Sequence, residues 1–77
     1  MTTTRMARAT RSILSALAAD PVLASDIRYE VMHYSDNIYG RQLALYQELW
    51  AAYGWELGYA IAYANLPLVL DALYEMA

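Results

Sequence analysis

The stretch from Trp50 to Leu70, WAAYGWELGYAIAYANLPLVL, decides how this chain folds. It carries rings and aliphatic side chains almost throughout, a single carboxylate at Glu56, and two glycines four residues apart, Gly54 and Gly58. A strand's alternation of apolar and polar residues is absent, whereas apolar residues recur at steps of three and four, so the segment reads as helix. Asn65-Leu66-Pro67 interrupts it, because asparagine caps a new helix and proline is tolerated in a first turn. The long helix therefore closes at Ala64, and a short one runs from Leu66 to Met76.

Toward the N-terminus the start of the long helix is left open: near Ser35, or at Arg41 if Gly40 ends the preceding helix as a left-handed cap. Asp20-Pro21 opens that preceding helix, whose expected buried stripe is Leu23, Ile27, Val31, Tyr34 and Ile38. Residues 4 to 19 read as a first helix capped by the threonines. Met6, Ala9, Ile13, Ala16 and Leu17 face inward, with Arg5, Arg8, Ser12 and Ser15 on the other side. An export signal would look similar, but the apolar segment from Ile13 to Ala19 is at the minimum length and is broken by Ser15, so an amphipathic helix is expected. No repeat or linker divides the chain. The expected fold is all-α, one helical domain over residues 1–77, with three to four helices around a central one spanning about 36 or 41 to 64.

Composition says what such a bundle must solve. Hydrophobic residues are 60% of 77, against roughly 45 to 50% in ordinary domains, more than one small core can enclose. With no cysteine and one histidine, disulfides and the usual zinc sites are excluded. The longest charge-free run of the apolar half, Leu57 to Leu70, is shorter than the roughly 20 residues of a membrane-spanning helix. Another protein surface, including a second copy, is the expected cover, in a cytoplasmic setting.

Within the long helix Gly40, Ala44, Gln47, Ala51, Gly54, Gly58 and Ile61 follow at heptad steps, nearly all of them small. Two interior glycines cost about 1 kcal/mol each relative to alanine. A close helix contact would offset that, so Ala44, Gln47, Ala51, Gly54 and Gly58 are expected to form either a homodimer seam or a tight crossing of helix one or four. A bulkier face, Tyr39, Leu43, Tyr46, Trp50, Tyr53, Leu57 and Ile61, is expected to be the core against helices one and two. The far side then holds Leu45, Leu49, Trp55, Tyr59 and Tyr63 with Arg41, Glu48 and Glu56.

Chemistry-bearing patterns are sparse. Glu30 and His33, at i and i+3, have the spacing at which a helix offers a carboxylate and an imidazole to one metal, but His33 falls off the buried stripe and the match is four residues long. One histidine must serve any serine, and the three glycines are too scattered to cradle a phosphate. No catalytic residue, cofactor or metal is expected, and the chain is read as a non-enzyme. Eight tyrosines and two tryptophans with no phenylalanine point instead to aromatics that work both wet and dry, as at recognition surfaces. Trp55, Tyr59 and Tyr63, with Glu48 and Glu56, are the expected partner-binding residues.

The net charge of −3, with no base after Arg41, makes nucleic acid a poor partner for the body of the chain. In size and composition the chain resembles small phage and mobile-element inhibitors of host machinery, among them anti-CRISPR proteins and anti-activators of transcription factors. That resemblance implies a small homodimer that docks on a larger protein and obstructs it. Two alternatives remain open from the sequence, an acidic mimic of nucleic acid and a structural or assembly subunit. Arg5, Arg8 and Arg11 are read as a solvated face.

Overall fold

Capping residues set the breaks between helices. A computed structural model describes residues 2–76, and side chains from residue 4 to residue 76. Its elements are α1 (Thr2–Ala19), α2 (Pro21–Tyr34), α3 (Ile38–Tyr63) and α4 (Leu66–Glu75). Asp20 accepts the Leu23 N–H at 3.2 Å, and Pro21 follows at a position whose N–H would be unpaired anyway. Asn37 accepts from the Gly40 N–H at 2.8 Å, and Asn65 from the Leu68 N–H at 3.4 Å.

Two boundaries differ from the reading of the sequence. The α1 backbone is helical from Thr2, so Thr4 lies inside the helix; a cap formed by the Thr2 or Thr3 side chain falls outside the described residues. Gly40 is not a left-handed cap, since no glycine among the described residues has a positive φ. It sits in the first turn of α3, where a side chain would run into the Ser35 hydroxyl. Because α2 stops at Tyr34 and Ser35 is extended, Tyr34 and Ile38 leave the expected stripe and are exposed; Ala24, Ile27 and Val31 are the buried set.

The core joins Ala9, Ile13 and Leu17 of α1 and the α2 set to Leu45, Leu49, Ala60 and Ile61 of α3 and Val69, Leu70 and Leu73 of α4. The expected α3 core face holds for Ile61, which is buried, and for Tyr46, Tyr53 and Leu57, which pack against the core, but not for the rest. Leu45 and Leu49, assigned to the far side, are fully buried, whereas Tyr39 and Leu43 are 80% and 60% exposed. An i, i+4 ladder through Leu45, Leu49, Tyr53, Leu57 and Ile61 winds about 40° per step, so the helix turns its buried side as it passes from α2 to α1. At Leu57 the backbone leaves helical geometry (φ −121°, ψ 19°), a kink between the two glycines.

Side chains tie the helices together at their ends. The buried Thr10 hydroxyl donates to the Met6 carbonyl at 2.7 Å and accepts the Asn65 N–H at 2.9 Å, fastening α1 to the α3–α4 turn. Arg41 donates from Nε to the Ser35 carbonyl at 3.0 Å and from Nη1 to the Tyr74 hydroxyl at 3.3 Å, joining three helices. Helix α1 runs antiparallel to α3: Tyr53 donates to the Ala16 carbonyl at 3.4 Å, while the Arg5 guanidinium lies 5.0 Å above the Tyr63 ring.

Candidate functional site

The small-residue stripe has an occupant within its own helix. The Trp50 indole lies across Gly54 and Gly58: a Cβ on either glycine would sit 2.7 or 2.8 Å from a ring carbon. Tyr46 meets the same indole edge-on, with centroids 6.0 Å apart. The glycines therefore form the floor of an aromatic shelf, and a close approach by another helix is not needed to explain them. Of the remaining stripe residues, Ala44 packs against the core while Gln47 and Ala51 are exposed.

Two aromatic rows stay open on α3. One is Tyr39, Leu43 and Trp50, which contains no charge. The other is Trp55, Tyr59 and Tyr63, spaced by single turns. Trp55 is 99% exposed, and Tyr59 and Tyr63 pack ring against ring at 5.1 Å. At about 100° per residue Glu48, Trp55 and Tyr59 fall within about 40° of one another, so the acid shares the row's face.

Two grooves of opposite charge lie along α3, a basic one beside Tyr59 and an acidic one nearer the start of the helix, at Glu48. Between α1 and α3 a groove of about 510 Å³ is lined by Thr4, Arg5, Arg8, Ser12 and Tyr59, without a carboxylate. Between α2 and α3 one of about 260 Å³ is lined by Glu30, Tyr34, Gln47 and Glu48, without a base. Arg5, Arg8 and Arg11 are all exposed, as a solvated face requires; Arg5 and Arg8 also border the aromatic row, while Arg11 lies on another groove with Met6 and Leu68. Periodicity along one helix carries no sign of this, since Arg5 reaches Tyr63 only through the antiparallel packing. Glu56 is exposed beside Trp55.

Other polar groups are accounted for locally. His33 stacks on Tyr29 (5.4 Å between centroids, 11° between planes) and meets Tyr34 edge-on at 5.1 Å, on the exposed side of α2. Among the described residues no three His, Cys, Asp or Glu side chains are grouped to hold a metal, and no single helix is long and apolar enough to cross a membrane. The Tyr53 hydroxyl is pushed above its ordinary pKa, first by burial and then by the negative charges of Asp20 and Glu56.

No family model, no curated protein and no solved structure matches the chain, so its function has to be argued from these surfaces.

Proposed function

We propose that the protein is a non-enzymatic helical docking module that works as a homodimer and obstructs a larger protein by covering part of its surface. The observation that supports this best is Trp55, an indole 99% exposed in the middle of the longest helix. An indole left in water forgoes on the order of 2 kcal/mol or more of burial, which a partner surface restores. Trp and Tyr flanked by charges are the residue types that dominate binding energy at protein interfaces.

Two open rows suit two contacts, one to a second copy and one to the target. Capture from the native host with tagged protein tests the reading. The expected result is a specific protein retained by the wild type and lost with Leu43→Asp or Trp55→Ala, and inhibited when the purified chain is added. Retention that is indifferent to both substitutions sinks it. The same capture repeated at high salt separates aromatic docking, which persists, from mimicry of nucleic acid, which fades as counterions screen the carboxylates.

A further inference from the structure

The geometry points to a second copy of this chain as the occupant of the Trp55–Tyr59–Tyr63 row, docked antiparallel about a twofold axis near Trp55. This rests on the docking reading above and assigns one of its two rows. It also moves the self-contact from the small-residue stripe, whose two glycines Trp50 covers, to the bipolar face.

Three observations carry it. First, on the two sides of Trp55 along α3 the charges are opposite: Arg5 and Arg8 line a groove beside Tyr59, and Glu30 and Glu48 line one toward the start of the helix. A surface of this kind is complementary to itself only when turned end for end, since parallel copies would oppose like charges. Second, the two ends are nearly equidistant from Trp55. At 1.5 Å per residue Glu48 lies about 10 Å along α3 in one direction and Tyr63, under the Arg5 guanidinium, about 12 Å in the other. An axis at Trp55 therefore brings Glu48 of each copy to the Arg5 end of its mate. The same axis sets the exposed Ala52 of one copy opposite Tyr59 of the other, and its small side chain leaves room for the ring. Third, the area suffices. The three rings expose roughly 450 Å², taking ~150 to 250 Å² for a whole aromatic side chain. With Arg5, Arg8, Ala52 and Glu56 around them, the face approaches the about 800 Å² per partner of a specific interface.

A single-stranded nucleic acid is the competing occupant, because stacked rings beside arginines suit it. The carboxylates of Glu48 and Glu56 on the same face oppose a strand of phosphates, and the peptide partner is the better match.

Sedimentation equilibrium of the full chain, from micromolar to millimolar protein, tests the pairing. The expected species has twice the 8.7 kDa chain mass. Arg5→Glu and Glu48→Arg each weaken it about tenfold or more, and the double variant, with the charges exchanged on one chain, returns to within about threefold of wild type. Trp55→Ala breaks the pair and Leu43→Asp leaves it intact, with circular dichroism confirming that each variant is folded. A chain monomeric throughout, an unrescued double variant, a dimer dissolved by Leu43→Asp, or protection of Trp55 by an oligodeoxynucleotide probe overturns the pairing. Leu43→Asp, which leaves the pair intact, is the variant that reads capture of a larger protein through the other row by itself, so failure of the pairing and failure of the docking reading are distinguishable.

Discussion

Trp50 lies over Gly58, two turns further along its own helix, so closely that a methyl group there would meet the ring at 2.8 Å. The relationship is local, yet it reorganises the surface. By filling the stripe, the indole removes the bare glycine groove that a second helix would enter. The faces left for partners are those flanking it. The Leu57 kink lies in the same segment, where missing side chains let the helix bend.

The first prediction is a change of sign. Gly54→Ala in an exposed helix should gain about 1 kcal/mol from propensity. Here the new methyl strikes the Trp50 ring, and displacing it costs about 1 to 3 kcal/mol, so the substitution is neutral to destabilising. In a Trp50→Ala background the collision is gone and Gly54→Ala should stabilise. Denaturant unfolding of the four proteins measures this cycle; equal effects in both backgrounds would show that the ring does not occupy the glycine floor.

What the sequence tells and conceals follows from the range of each interaction. Asp20-Pro21 and Asn65-Pro67 act on their own first turns, so the breaks there could be read directly. The core face of α3 could not. Leu45-Leu49 and Tyr46-Trp50-Tyr53 are both helically spaced, and on a helix apolar nearly all round periodicity does not choose between them. Packing buries the aliphatic pair fully, keeps Tyr46 and Tyr53 half-buried at the edge of the core, and leaves Trp50 exposed. The exposed Trp55 and Tyr59 were visible as a one-turn row. The arginines beside them became neighbours only through the antiparallel path of α1, a contact about sixty residues distant in sequence.

Thr10 is the polar residue the core depends on. It is 2% exposed, and its hydroxyl both donates to Met6 and accepts from Asn65. Thr10→Val keeps the shape but strands the Asn65 N–H, for an expected loss of about 1 to 3 kcal/mol. Thr10→Ser retains the acceptor and should cost less. Thermal unfolding compares them, and a valine variant as stable as wild type would mean that this N–H finds another partner.

Arg41 holds α2, α3 and α4 with one planar group. Lysine has no second nitrogen at the Nε position, so Arg41→Lys cannot reach the Ser35 carbonyl and the Tyr74 hydroxyl in the same geometry. The expected cost is about 1 kcal/mol, nearly that of Arg41→Ala, together with faster amide exchange in α4. A lysine variant indistinguishable from wild type would show that charge alone suffices.

Tyr53 should make stability fall at alkaline pH. Burial, and after it the Asp20 and Glu56 carboxylates, raise its pKa above the ordinary 10.0, so the folded state holds the phenolic proton more tightly than the unfolded chain does. That contribution is complete below about pH 10 and is lost as pH rises through the folded value. Ultraviolet titration of wild type against Tyr53→Phe should therefore assign to Tyr53 an ionisation above the ordinary 10.0, and unfolding free energy should decline over that interval. In Tyr53→Phe the late ionisation disappears and the alkaline decline becomes shallower. At neutral pH this variant loses only the 3.4 Å bond to the Ala16 carbonyl, about 1 kcal/mol or less. Glu56→Gln separates the causes: the late tyrosine should move toward its ordinary value but not reach it, because burial remains. A Tyr53 that ionises at the ordinary 10.0 in wild type would mean that its hydroxyl is open to water and that the α1–α3 contact is looser than the 3.4 Å distance implies.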